Sequence, residues 1–121
     1  MKISEFAKIT GLPASTIRFY EKRQILKSSR DKNGVRIFDD GDIKWVQFIK
    51  RLKQTGMSLE NIAKYARLRY IGSCTMTERL NMLKTHRKYV LDRIKLWEAN
   101  LYNLDAKIAF YEKNIENMQR V

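Results

Sequence analysis

From Leu80 onward, apolar residues recur at alternating spacings of three and four. One set reads Leu80, Arg87, Ile94, Leu101, Ile108 and Ile115, the other Leu83, Val90, Trp97, Leu104, Tyr111 and Met118. Six consecutive heptads therefore carry apolar side chains at both seam positions, with Arg87 the single interruption, and no glycine or proline follows Gly72. A helix over residues 76–119 would be about 65 Å long, far longer than a globular neighbour built from residues 1–70 could cover. Folding back on that neighbour accounts for the first two heptads and poorly for the rest. A seam of this length needs a second helix, and the chain supplies none of its kind. Self-association is the expectation, through Leu83, Val90, Ile94, Trp97, Leu101, Leu104, Ile108 and Tyr111.

The preceding 70 residues read as short helices with one hairpin. Ile3, Phe6 and Ala7 share a helical face, and Gly11 suits the left-handed position after a helix end. Pro13 fits the start of a helix running from Ala14 to Lys22 with Ile17 inward. A small residue at Ala7, a permissive turn at Gly11 and an apolar anchor at Ile17 have the separations of a helix-turn-helix over about 3–22. Two packed helices with no ligand would share much of this pattern. Ile25 and Leu26 read as core, and Asn33-Gly34 predicts a two-residue hairpin turn. Strands of about three residues would flank it, the second near 35–37, within a wing spanning about 24–38. Asp39 or Asp40 caps a broadly apolar helix carrying Ile43, Trp45, Val46, Phe48, Ile49 and Leu52. Gly56 ends it, and Ser58 caps another with Leu59, Ile62, Ala63 and Ala66 inward, so a second helix pair occupies about 40–70. Residues 71–75 form the one break between modules, and Thr75 with Glu78 predicts a capping box opening the last helix.

Charge narrows the function. The 25 Lys and Arg against 13 Asp and Glu leave a formal +12, and residues 1–70 hold 16 basic against 7 acidic side chains. That concentration is expected of a module that neutralises phosphates, although a merely basic domain would share it. A hairpin bearing Lys27, Arg30, Lys32 and Arg36 directly after a helix-turn-helix has the makings of a DNA-binding wing; a solvated basic turn is the alternative. No apolar stretch approaches a membrane span, and "MKISEFAKIT" lacks the apolar core of a secretion signal, so cytoplasmic, nucleoid-associated residence is the expectation. One cysteine, Cys74, excludes an internal disulfide framework and a zinc site of several cysteines. No Gly-rich phosphate loop or nucleophile–base arrangement is legible, so no enzyme, no cofactor and no metal are expected.

The segments "ITGLPASTIRFYEKRQIL" and "RDKNGVRIFDDGDIKWVQFIKRLKQTGMSLENI", followed by a heptad helix, resemble the MerR family of bacterial transcription regulators. The combination T-I-R-[FY]-Y-E, N-G-x-R and G-x-S-L-x-x-I carries the likeness. It is strongest to the small thiol-dependent group that responds to aldehyde and nitrosative stress. The resemblance implies an all-α dominated fold: a winged helix-turn-helix domain over 1–70, then a dimerisation helix over 76–119 pairing as an antiparallel coiled coil. It further implies a homodimer on a pseudo-palindromic operator, within a promoter whose two recognition elements lie too far apart. Distorting that DNA lets RNA polymerase engage both, an activating mechanism suited to a stress response. Carried over residue by residue, the DNA contacts fall on Thr16, Arg18, Phe19, Tyr20, Arg36, Lys53 and Ser58.

The chemistry of these residues agrees. Arg18 is forked and permanently charged, suiting guanine edges or phosphate oxygens. Thr16 and Tyr20 offer hydroxyls to backbone phosphates, a partly core Tyr20 being the lesser alternative. Arg36 would emerge from the hairpin towards a phosphate or the minor groove. The pattern departs from the family in three places: Val35 replaces the usual wing aromatic, Pro13 stands where a capping serine is common, and Arg51 aligns with the group's sensing cysteine. Cys74, in the hinge, is then the one candidate thiol sensor, against the commoner reading of an unreactive cysteine. The competing function is an architectural, non-specific nucleic-acid binder without effector switching.

Overall fold

The computed structural model describes residues 1–119. Five helices and one short hairpin follow in the order α1 (Ile3–Thr10), α2 (Ala14–Lys22), β1 (Ser29–Arg30), β2 (Arg36–Ile37), α3 (Asp40–Gln54), α4 (Leu59–Ile71) and α5 (Met76–Gln119), with a 3₁₀ turn at Ser73–Thr75 before α5. Helix dominance, the helix-turn-helix and the long last helix all match expectation. The chain divides into two units, Met1–Lys84 and the remainder from Thr85.

In the first unit, α1 ends at Gly11, whose N–H donates to the Ala7 carbonyl (2.9 Å). Thr10, which is buried, turns its hydroxyl onto the Phe6 carbonyl (2.8 Å). Helix α2 starts after Pro13 and buries Ile17 and Tyr20, one turn apart on the same face. Its end is a Schellman arrangement: Ile25 N–H donates to the Tyr20 carbonyl (2.8 Å) and Gln24 N–H to that of Glu21 (3.0 Å). Helix α3 closes in the same way, with Met57 on Leu52 (2.9 Å) and Gly56 on Lys53 (3.1 Å). Gly56 takes the left-handed position there, at φ +94°; at the end of α2 that position falls to Gln24, at φ +60°.

One core fills this unit. Phe6 and Phe38 stack with centroids 4.2 Å apart, and Ile17, Tyr20, Ile25, Leu26, Val46, Ile49, Ile62 and Ala66 are almost wholly buried. Trp45 lies parallel to Tyr65 at 5.9 Å and donates its indole N–H to the Ile25 carbonyl (2.8 Å). Asp39, rather than Asp40, caps α3, in a reciprocal capping box with Asp42. Ser58 caps α4 by accepting from Asn61 N–H (3.1 Å). Phe38, Met57 and Tyr65 are core residues that helical periodicity alone did not mark.

Two expectations need correction. The hairpin does not turn on Asn33-Gly34 as a two-residue loop. Pairing runs Ser29 to Ile37 and Arg30 to Arg36, so each strand has two residues and five residues lie between them. A mirror-image two-residue turn requires positive φ at both central positions. Gly34 has it (φ +79°) and Asn33 does not. Instead Asp31 nucleates the loop: its Oδ1 accepts from Asn33 N–H (2.8 Å) and Val35 N–H (2.9 Å), while Gly34 N–H donates to its carbonyl (3.0 Å). Second, Thr75 makes no capping box with Glu78. Its buried hydroxyl points backwards, sharing its one proton between the Leu68 (2.6 Å) and Gly72 (2.8 Å) carbonyls, and accepts from Arg79 Nε (3.1 Å). Leu83, expected on the dimer seam, is with Met82 partly buried against the core of its own unit.

The second unit is the continuation of α5 from Thr85. No side chain of α5 is fully buried, and from Ile94 to Ile115 the apolar seam residues are 47–67% exposed.

Two substitutions test this packing by thermal or urea unfolding. Phe38→Ala should destabilise the protein by about 3–5 kcal/mol, through lost burial and the cavity beside Phe6. Gln24→Gly should instead stabilise it by about 0.5–1 kcal/mol, because relief of the left-handed strain outweighs the added unfolded-state entropy.

Candidate nucleic-acid interface

With Ile17 and Tyr20 turned inward, the opposite face of α2 presents Ser15, Arg18, Phe19 and Lys22 to solvent, with Thr16 half-buried beside them. Arg18 and Lys22 are one turn apart, so their charges stand side by side on the helix surface. Arg23, just past the helix, lies over the exposed Phe19 ring, its guanidinium carbon 5.7 Å from the centroid. Tyr20 is the exception among the expected contacts. It is 2% exposed, and burial raises its phenol pKa, so its ring belongs to the core and not to the outward face. The i, i+3 relation to Ile17 decides this, because a nine-residue helix turns one face inward and Tyr20 lies on it.

Each cation of the wing has its own placement. Lys32 is exposed near the tip. Arg30 Nη1 donates to the Gly34 carbonyl (3.1 Å), stiffening the loop. Lys27 lies over the Tyr70 ring, its ammonium 5.0 Å from the centroid, while its backbone N–H donates to the Tyr70 hydroxyl (3.0 Å). Arg36 does not project freely from the hairpin as expected. Its Nε donates to Glu21 Oε2, an ion pair between β2 and α2 that leaves 32% of the arginine side chain exposed. Glu21 Oε1 in turn accepts from the Ser28 hydroxyl (2.7 Å). One carboxylate of the helix thus holds both sides of the hairpin base, an arrangement the +12 net charge hid.

Lys53 and Ser58 flank the turn between α3 and α4, and both are exposed. The Ser58 oxygen accepts the Asn61 N–H and keeps its own proton for a further acceptor. It also stands at the N-terminus of α4, where unpaired N–H groups favour an anion. Cys74 is a free, exposed thiol inside the 3₁₀ turn. The structure therefore gathers Arg18, Phe19 and Lys22 on the outward face of α2, with Thr16 half-buried beside them, and it turns Tyr20 into the core. Lys22 joins Arg18 on that face by its spacing of four residues, a relation the family motif does not mark.

A family profile described as "MerR HTH family regulatory protein" matches residues 1–69, and a second, "MerR, DNA binding", matches residues 43–106. The chain belongs to the MerR family. An uncharacterised HTH-type transcriptional regulator of Haemophilus influenzae is 39% identical over 108 residues, covering 88% of this chain and 80% of that protein. Among solved structures, a MerR family protein from Listeria monocytogenes superposes with a TM-score of 0.92 at 30% identity, covering 99% of this chain and 92% of that one. A further MerR family regulator, HiNmlR, lacks the sensor domain and was solved bound to promoter DNA. It has a TM-score of 0.84 and 37% identity, with 93% and 90% coverage. Like its family, this chain is a DNA-binding transcription regulator. Among the described residues no helix is long and apolar enough to cross a membrane.

Arg18 offers the sharpest test of the interface. Arg18→Ala should weaken binding to a selected duplex by about 1–3 kcal/mol and relax preference at one base position, as read by competition against single-base variants. Equal losses on selected and random duplexes would assign Arg18 to phosphate contact alone.

Proposed function

We propose that this regulator works as a homodimer that grips two half-sites of a pseudo-palindromic operator and distorts the promoter between them. In this reading Arg18 reads a base edge, with Phe19 beside it. Thr16, Arg36, Lys53 and Ser58 contact phosphates that set the register. The observation that carries the proposal is the apolar seam of α5. Side chains from Ile94 to Ile115 stand about half exposed, and so large an apolar area stays in water only at a cost of roughly 25 cal/mol per Å². A second copy of the same helix covers it with matching knobs and holes. Dimerisation then sets a fixed spacing between two cationic heads. Fixed spacing is what a two-fold operator demands.

The seam so defined runs through Leu83, Val90, Ile94, Trp97, Leu101, Leu104, Ile108 and Tyr111, with Leu83 also packing on the core of its own unit. Residues 71–75 join α4 to α5 within the first unit. They form a braced joint, since Arg79 Nη2 donates to the Gly72 carbonyl (3.2 Å) and Thr75 ties Gly72 to Leu68. RNA polymerase is engaged indirectly, through the altered promoter, in the cytoplasm of a cell under stress.

Replacing Leu101 and Leu104 with glutamate should break the pairing. Sedimentation should then give monomers at micromolar concentration. Operator affinity should fall about 10²-fold or more, because each half-site is bound alone. An intact dimer in that variant would overturn the assignment of the seam. Competition between operator and bulk DNA separates this function from an architectural one: a regulator prefers its operator by about 10³-fold or more at physiological salt.

A further inference from the structure

The only acidic side chain of α2 is Glu21, and it sits on the helix expected to face DNA. By charge alone it is misplaced, since a carboxylate near phosphates weakens binding. Its geometry gives it another task. The carboxylate of the Glu21–Arg36 pair is only 12% exposed, and its two oxygens divide between Ser28, just before β1, and Arg36, in β2. The wing needs such a tie. Its ladder consists of two residue pairs, and an isolated two-stranded hairpin is marginal in water. The bonds of Asp31 and Arg30 shape the loop internally but leave its direction relative to α2 open. Phe38, buried and donating its N–H to the Met1 carbonyl (2.7 Å), anchors the far end of the hairpin to the body of the unit. Lys27, held by Tyr70, anchors the near end to α4. Glu21 supplies the remaining constraint, from the recognition helix itself.

We propose that Glu21 is a positioning residue for DNA recognition: it sets the distance and angle between α2 and the wing by holding Ser28 and Arg36 together, and so sharpens sequence discrimination without touching DNA. This rests on the reading of α2 and the wing as the two DNA-contacting elements. Base readout by α2 requires its side chains to reach the groove in one register. Phosphate contacts from the wing fix that register only if the wing keeps a constant offset from the helix. A charge-assisted clamp with two acceptors provides the offset; a single neutral hydrogen bond would hold it less firmly.

Charge and positioning predict opposite outcomes, which makes the test decisive. The probe is a duplex enriched by the wild-type protein from a random-sequence pool, compared with a scrambled duplex of equal composition at one salt concentration. If Glu21 acts only through its charge, Glu21→Ala tightens binding to both duplexes by the same factor. If it positions the wing, affinity for the enriched duplex falls about ten-fold or more, as expected for losing a charged hydrogen-bond anchor. Affinity for the scrambled duplex then stays level or rises. Glu21→Gln, which retains an acceptor oxygen but not the charge, should recover part of the lost ratio. Ser28→Ala, with no change in charge, should lower the ratio by a smaller factor. Thermal melting establishes that each variant is folded at the assay temperature; should Glu21→Ala melt below it, the Gln and Ser28 variants carry the result. An unchanged ratio in the folded variants overturns the proposal while wild type still discriminates. A wild type that binds both duplexes equally overturns the parent reading, and this one with it.

Discussion

Burial of Ile17 and Tyr20 fixes α2 about its own axis, and most of what the first unit presents to solvent depends on it. A nine-residue helix has room for one inward face. Once two bulky side chains occupy the core beside Phe6, Ile25 and Val46, the positions opposite them have no choice but water. Arg18 and Lys22 are therefore outward because Ile17 and Tyr20 are inward, not because of any preference of their own. The same burial sets the exit of the chain. The Tyr20 carbonyl accepts the Ile25 N–H, and the Ile25 carbonyl accepts the Trp45 indole N–H, so the route from α2 into the wing is hydrogen-bonded to α3.

The wing shows how little a charge count says about geometry. Four cations flank its loop, yet Arg30 serves the loop, Lys27 lies on Tyr70 and Arg36 is paired with Glu21. Neutral partners and one carboxylate have turned a repulsive cluster into an ordered surface. Each of these contacts removes rotamer freedom before any DNA arrives, and preorganisation of this kind lowers the entropy lost on binding.

The passage from α4 to α5 is braced in a comparable way. The Thr75 hydroxyl adds a second contact to the Leu68 and Gly72 carbonyls, which already accept the Gly72 and Thr75 N–H groups, and Arg79 reaches back to both Thr75 and Gly72. Met82 and Leu83 extend the attachment by packing on the core, which is why the first compact unit reaches Lys84 instead of stopping at the break near Gly72.

The amino-acid sequence alone determined the elements. Heptad spacing announced α5, Gly11 and Pro13 bracketed the turn before α2, and the Asp39-Asp40 pair and Ser58 marked helix starts, because periodicity and capping act over a few residues and need no knowledge of the rest of the chain. The family was legible for the same reason, since its motifs are short and local. Tertiary structure alone decided which polar groups meet. Glu21 and Arg36 lie 15 residues apart, Lys27 and Tyr70 lie 43 apart, and no local rule relates them. It also decided that Tyr20 belongs to the core, that Asp31 shapes the wing in place of an Asn-Gly turn, and that Thr75 faces backwards. Each of these is a competition between alternative hydrogen bonds or environments, and its outcome depends on the neighbours that packing brings within reach.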